Sequence, residues 1–185
     1  MFQGRELTKN IAVIAVMSAL LVAGKFALSW VPNVEIVTPL IILFSVVFGF
    51  RRSIFAVVIF CLLDNILYPP SYVVAIQYFF HWPLLCVLAN LIKKFGEENE
   101  ILFVALAALM AILFWLETPV LNAVFQISPF LPTLVSGIPF MLPMLLSNVL
   151  VVLFVFKPAK RALMHIYSRL FPQTNEEICE EKTDV

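Results

Sequence analysis

Charge is what this chain has least of. Only 13% of its 185 residues are Asp, Glu, Lys or Arg, and the twelve basic side chains cancel the twelve acidic ones. A soluble domain of ordinary composition is about a quarter charged. Without that polar surface the chain cannot cover a water-facing fold, and without a basic excess it offers no footing for nucleic acid. It has five glycines and no Gly-rich phosphate loop, so no nucleotide-binding motif is present. The three cysteines, Cys61, Cys86 and Cys179, have no spacing that suggests a disulfide framework or a zinc site. There is no His-Glu-x-x-His, no Ser/His/Asp set at usable depth and no carboxylate cluster around a midplane metal. The first apolar run is too long for a cleavable signal and lacks a small-residue cleavage site.

What is present is apolar length. The chain is 62% hydrophobic, with a mean hydropathy of +1.01. Apolar runs cover 10–30, 36–50, 54–68, 72–92, 101–125 and 134–156. A spanning helix takes about 20 residues, so six spans fill almost the whole chain and leave no room for a soluble catalytic domain. The expected fold is an all-α integral membrane protein of six transmembrane helices in a single domain, 1–159. A basic amphipathic helix on the inner membrane surface, 160–172, and a disordered acidic tail, 173–185, follow it.

Basic residues gather on the cytoplasmic side of membrane proteins. Arg5 and Lys9 precede the first run, Arg51 and Arg52 separate the second from the third, and Lys93 and Lys94 separate the fourth from the fifth. Lys157, Lys160, Arg161, Arg169 and Lys182 follow the sixth. Both termini cytoplasmic is the orientation that puts every basic residue except Lys25 inside. Prolines mark the other side. Pro32, Pro69, Pro70, Pro129 and Pro132 sit in the outer loops, and Pro39, Pro119, Pro139 and Pro143 in the outer halves of spans. Broken helices at membrane depth are tolerated where they line a cavity, so the outer half is where a pocket is expected.

Charges inside a span are costly and are candidate functional groups by default. Lys25, Asp64 and Glu117, with Glu35 at a span boundary, all fall in the outer half, at a depth similar to Asn65, Tyr68, Tyr72, Gln77 and Asn122. Each could be structural, with Lys25 paired to a carboxylate. Together they suggest a polar substrate pocket. His81 lies in an aromatic run, Tyr78-Phe-Phe-His-Trp82, that could wall a cavity or face lipid, since consecutive residues point all round a helix. Ala15, Ala19, Ala23 and Ala27 recur every four residues. Such a small-residue stripe lets a second helix approach closely in lipid, either within the fold or on a partner.

These features resemble the substrate-binding (S) component of energy-coupling factor (ECF) vitamin transporters. Local phrases add to the resemblance: Asn33-Val-Glu-Ile-Val-Thr-Pro-Leu-Ile-Ile-Leu, Phe48-Gly-Phe-Arg, Gly137-Ile-Pro-Phe and Ser147-Asn148. The resemblance covers about 9–159. It implies an ECF S-component-like bundle in a bacterial plasma membrane, with no enzymatic activity and no cofactor or metal in this chain. ATP and Mg2+ would serve two ATPase subunits, and cobalt would enter only within a corrinoid ligand. It implies that the chain captures a vitamin outside, docks on a transmembrane coupling subunit through Ala15, Ala19, Ala23 and Ala27, and topples to deliver the ligand. The subgroup looks most like the cobalamin-type member. Pantothenate and a queuosine precursor are the other ligands that suit an amide- and aromatic-rich pocket.

Overall fold

The computed structural model describes residues 2–31, 34–68, 71–96 and 99–172. The elements are α1 (Phe2–Ala27), α2 (Val37–Phe48), α3 (Phe50–Leu67), α4 (Tyr72–Gly96), α5 (Glu100–Val124) and α6 (Phe130–Leu170), with no strand among the described residues. Four of them, α1, α4, α5 and α6, are long and apolar enough to cross a membrane. The chain has the build of a helical membrane protein. Pro32, Asn33, Pro69, Pro70, Glu97, Glu98 and the tail 173–185 lie outside the described residues.

The short second helix organises the rest. With 12 residues α2 is only about 18 Å long at about 1.5 Å per residue, less than the hydrocarbon thickness of a bilayer. Every residue in it except Leu40 is buried, as expected for a helix that is apolar all round. It touches each of the other five helices. Around it α1 packs on α3, α3 on α4, α4 on α5 and α5 on α6. This arc has α1 and α6 at its two ends, with at most marginal backbone contact between them.

One residue separates α2 from α3. Gly49 sits at φ 79°, ψ 169°, a region essentially reserved for glycine. The turn is therefore tighter than the apolar pattern implies. Arg51 and Arg52, expected between two spans, instead belong to the first turn of α3.

The helices alternate in direction, and side-chain contacts identify the two ends of the bundle. At the basic end, Arg52 Nε donates to Asn10 Oδ1 (2.7 Å), and its Nη1 donates to the Tyr167 hydroxyl (3.2 Å) and the Phe48 carbonyl (3.3 Å). Its guanidinium lies 4.2 Å from the Phe171 ring centre. Lys9 donates to the Leu170 carbonyl and Lys93 to the Val46 carbonyl, while Lys157 pairs with Glu100.

These contacts explain a second difference from expectation. Residues 160–172 do not begin a new helix: α6 continues unbroken through Pro158 to Leu170. Proline costs one backbone hydrogen bond within a helix. Its loss is offset because the buried face persists at helical spacing. Val152 and Phe156 are buried, Ala159, Leu163 and Tyr167 pack on the core, and Phe171 is buried again. Tyr167 meets Phe48 edge-on at 5.8 Å.

Candidate functional site: paired cavities at the end opposite Arg52

The other end is open. Lys25 lies near the C-terminus of α1, where its ammonium donates to Asp64 of α3 at 2.5 Å and to the Tyr78 hydroxyl of α4 at 3.1 Å. Asp64 is only 2% exposed, whereas the Lys25 side chain keeps 31%. A carboxylate so enclosed needs its cation, so this pair ties α1, α3 and α4 together. The remaining surface of Lys25 faces a cavity.

That cavity measures about 250 Å3 and is lined by Gly24 and Lys25 of α1, by Leu28, Val34 and Glu35 of the connection to α2, and by Tyr78, Phe114 and Met144. It lies between the ends of the helical arc, where α1 and α6 leave room. Gly24 helps to shape it. A Cβ there would come to 3.0 Å from Ile36 Cγ2 and 3.3 Å from Leu40 Cδ1, so a larger residue would crowd these two side chains. The Glu35 main-chain N–H donates to Ser147 Oγ at 3.2 Å, which fastens this wall to α6. The Glu35 carboxyl has no hydrogen bond or ion pair among the described residues. Desolvation pushes it up to about 7, with Asp64 adding to the rise and Lys25 opposing it.

A second cavity of about 180 Å3 adjoins the first. Phe114 and Met144 line both, so they form the partition. The second is lined otherwise by Trp115, Thr118, Pro119, Thr133, Gly137, Phe140 and Met141. Trp115 is pinned there. Its indole N–H donates to the Leu134 carbonyl (3.1 Å), and the ring packs so closely on Gly137 that a Cβ would meet it at 2.8 Å.

The partition is held from behind. Gln77, almost fully buried, donates to the Phe114 carbonyl at 2.7 Å and accepts from the Thr118 hydroxyl at 3.1 Å. Beside it His81 Nδ1 meets Glu117 at 3.0 Å, and the imidazole is met edge-on by Trp82 (4.8 Å) and Phe114 (5.0 Å). His81 and Glu117 thus join α4 to α5 and line neither cavity.

The ten expected pocket residues therefore divide. Lys25 and Glu35 line the first cavity, Asp64 is buried behind Lys25 as its partner, and Gln77, His81 and Glu117 form the seam between α4 and α5. Tyr68 and Tyr72 are exposed and rest on Phe26 and Phe125. Asn65 donates to the Cys61 carbonyl of its own helix. The Asn122 carbonyl accepts from the Ile127 N–H where α5 ends. The aromatic run points all round α4: His81 and Trp82 inward, Tyr78 toward the cavity, Phe79 and Phe80 outward. Phe114, Trp115, Met141, Met144 and Ser147 were not expected in a site. Of these only Ser147 gave a signal, through the Ser147-Asn148 phrase.

The alanine stripe faces outward. Ala15, Ala19, Ala23 and Ala27 are all exposed. Ala19 and Ala23 floor an apolar groove of about 510 Å3 with Val22, Phe26, Leu63, Leu67 and Tyr68. Among the described residues no group of three or more His, Cys, Asp or Glu could hold a metal ion. No known protein-family model, curated protein or solved structure matches the chain.

Proposed function

We propose that this chain is a substrate-binding membrane subunit of the ECF type, which captures a small molecule and hands it to an ATP-driven import module. The observation that carries the reading is the pair of cavities. A membrane bundle that needed only to be stable would fill the space between α1 and α6 with apolar side chains. Here it is left open, and Lys25, Glu35 and Tyr78 converge on it. Ligand sites are commonly concave, mostly apolar and furnished with a few placed polar groups.

The orientation belongs to the same proposal. All six helices cross the bilayer with both termini in the cytoplasm, in a bacterial plasma membrane, and the cavities open outward. α2 can be short because protein, and not lipid, surrounds it. The outward-facing stripe Ala15, Ala19, Ala23 and Ala27 is the docking face for a transmembrane coupling subunit. ATP and Mg2+ are then used by two partner ATPases, and this chain performs no catalysis.

Cavity size bears on the ligand. Drug-sized molecules occupy pockets of about 300–1,000 Å3, and a corrinoid is larger than that class. Compartments of about 250 and 180 Å3 favour a smaller ligand over cobalamin, in the range of pantothenate or a queuosine precursor.

Reconstitution tests the reading. Vesicles containing this chain, its coupling subunit and the ATPases should accumulate ligand only when ATP is present. Vesicles with the chain alone should bind and not accumulate. Accumulation by the chain alone would make it a self-sufficient transporter and overturn the proposal.

A further inference from the structure

The charges at the first cavity do not balance. Lys25 is committed to Asp64 and Tyr78, so its charge is already matched. The Glu35 carboxyl is at the same wall with no partner of its own among the described residues. The remaining lining groups, Phe114 and Met144 among them, carry no charge. Two carboxyls thus share one ammonium in a low-dielectric setting, where an unmatched charge is costly. The adjoining cavity has the opposite character. It is apolar and aromatic, and Trp115 already spends its indole N–H on Leu134, leaving ring surface to offer. Phe114 and Met144 line both cavities, and methionine repacks readily.

We infer that the ligand is a small monocation with a flat apolar part, its ammonium or amidinium seated on Glu35 and its ring beside Trp115 across Met144. This rests on the reading of the cavities as a substrate site and names the class of substrate. The cation supplies the charge that the fold withholds from Glu35. An anionic ligand, pantothenate included, would have to take Lys25 from Asp64 and strand a buried carboxylate, so charge narrows the class that cavity size alone leaves open. The near-neutral midpoint of Glu35 agrees with a carboxyl that lacks its counter-charge until the ligand arrives.

The test uses three probes of similar size and different charge: 2-phenylethylammonium, 3-phenylpropanamide and 3-phenylpropanoate. Binding to the purified full chain in lipid nanodiscs is followed by ligand-observed NMR. The ammonium should bind about tenfold tighter than the propanoate, as a charge-assisted contact requires, with the amide between them. Glu35→Gln should erase that ranking while the thermal unfolding transition is retained. Trp115→Leu should weaken all three probes alike. A propanoate that binds as well as the ammonium, or a ranking unchanged in Glu35→Gln, would overturn the inference. Binding of none of the three would overturn it too, while the transport reading would still be judged by ATP-dependent accumulation.

Discussion

Arg52 and Lys25 are both cations inside a nearly uncharged bundle, and the protein treats them in opposite ways. Arg52 is enclosed. Asn10 of α1, the Phe48 carbonyl of α2, and the Tyr167 hydroxyl and Phe171 ring at the end of α6 meet it from three helices. Lys25 is matched by Asp64 and Tyr78 on one side and left open to a cavity on the other, next to an unpaired carboxyl. A cation held by three hydrogen bonds and an aromatic ring locks one end of the bundle. A cation half used, beside an anion not used at all, marks the end that waits for something. In a chain this poor in charge, the contrast between satisfied and unsatisfied polar groups locates a site better than polarity alone.

The largest expected effect comes from breaking the open end. Asp64→Ala leaves Lys25 without its carboxylate, and removing one partner of an enclosed pair costs about 3 kcal/mol. The unfolding transition in detergent should fall accordingly, and ligand binding should weaken with it. At the closed end Arg52→Met should cost about 1–2 kcal/mol through lost hydrogen bonds to a charged group, with ligand affinity unchanged. If Arg52→Met impairs binding as much as Asp64→Ala does, the two ends are not functionally distinct.

A pH series sharpens the comparison. Burial raises the Glu35 carboxyl to about 7, so its ionised fraction grows from pH 6 to pH 8. The other ionisable groups facing it are Lys25 on α1, Asp64 on α3 and Tyr78 on α4. α5 and α6 present Phe114, Met144 and Ser147, which carry no charge. A permanently charged probe, 2-phenylethyl-trimethylammonium, should therefore bind several-fold tighter at pH 8 than at pH 6, and Glu35→Gln should flatten the profile. The smallest effect on the isolated chain is expected at the alanine stripe. Ala23→Trp fills the outer groove, which should leave stability and ligand binding unchanged and abolish co-purification with the coupling subunit. Retained association would remove the stripe from the docking face.

Much of the architecture was legible from apolar length and the distribution of Lys and Arg. The six apolar runs became six helices, and the loops rich in basic residues became one physical end, because charge and hydrocarbon separate along the chain before any packing is specified. Pairing was harder to see. Lys25 and Asp64 were both conspicuous, as were His81 and Glu117, but partners 39 and 36 residues apart are joined by helix packing that no local pattern encodes. Phe114, Trp115 and Met144 stayed hidden for a different reason. An apolar side chain at a cavity wall is the same residue type as one in the core, and only the space beside it differs. The run of α6 past Pro158 was masked by Lys157-Pro158, which resembles a helix stop until Tyr167 and Phe171 are seen packed on Phe48 and Arg52.

Native mass spectrometry of the chain released from its own membranes tests the central claim most directly. A protein that holds a substrate in the cavities beside Lys25 and Glu35 should carry one small molecule of a few hundred daltons per chain. Occupancy should drop in Asp64→Ala and persist in Ala23→Trp. A chain that emerges bare from every preparation, or one whose bound mass is indifferent to Asp64, would contradict the account.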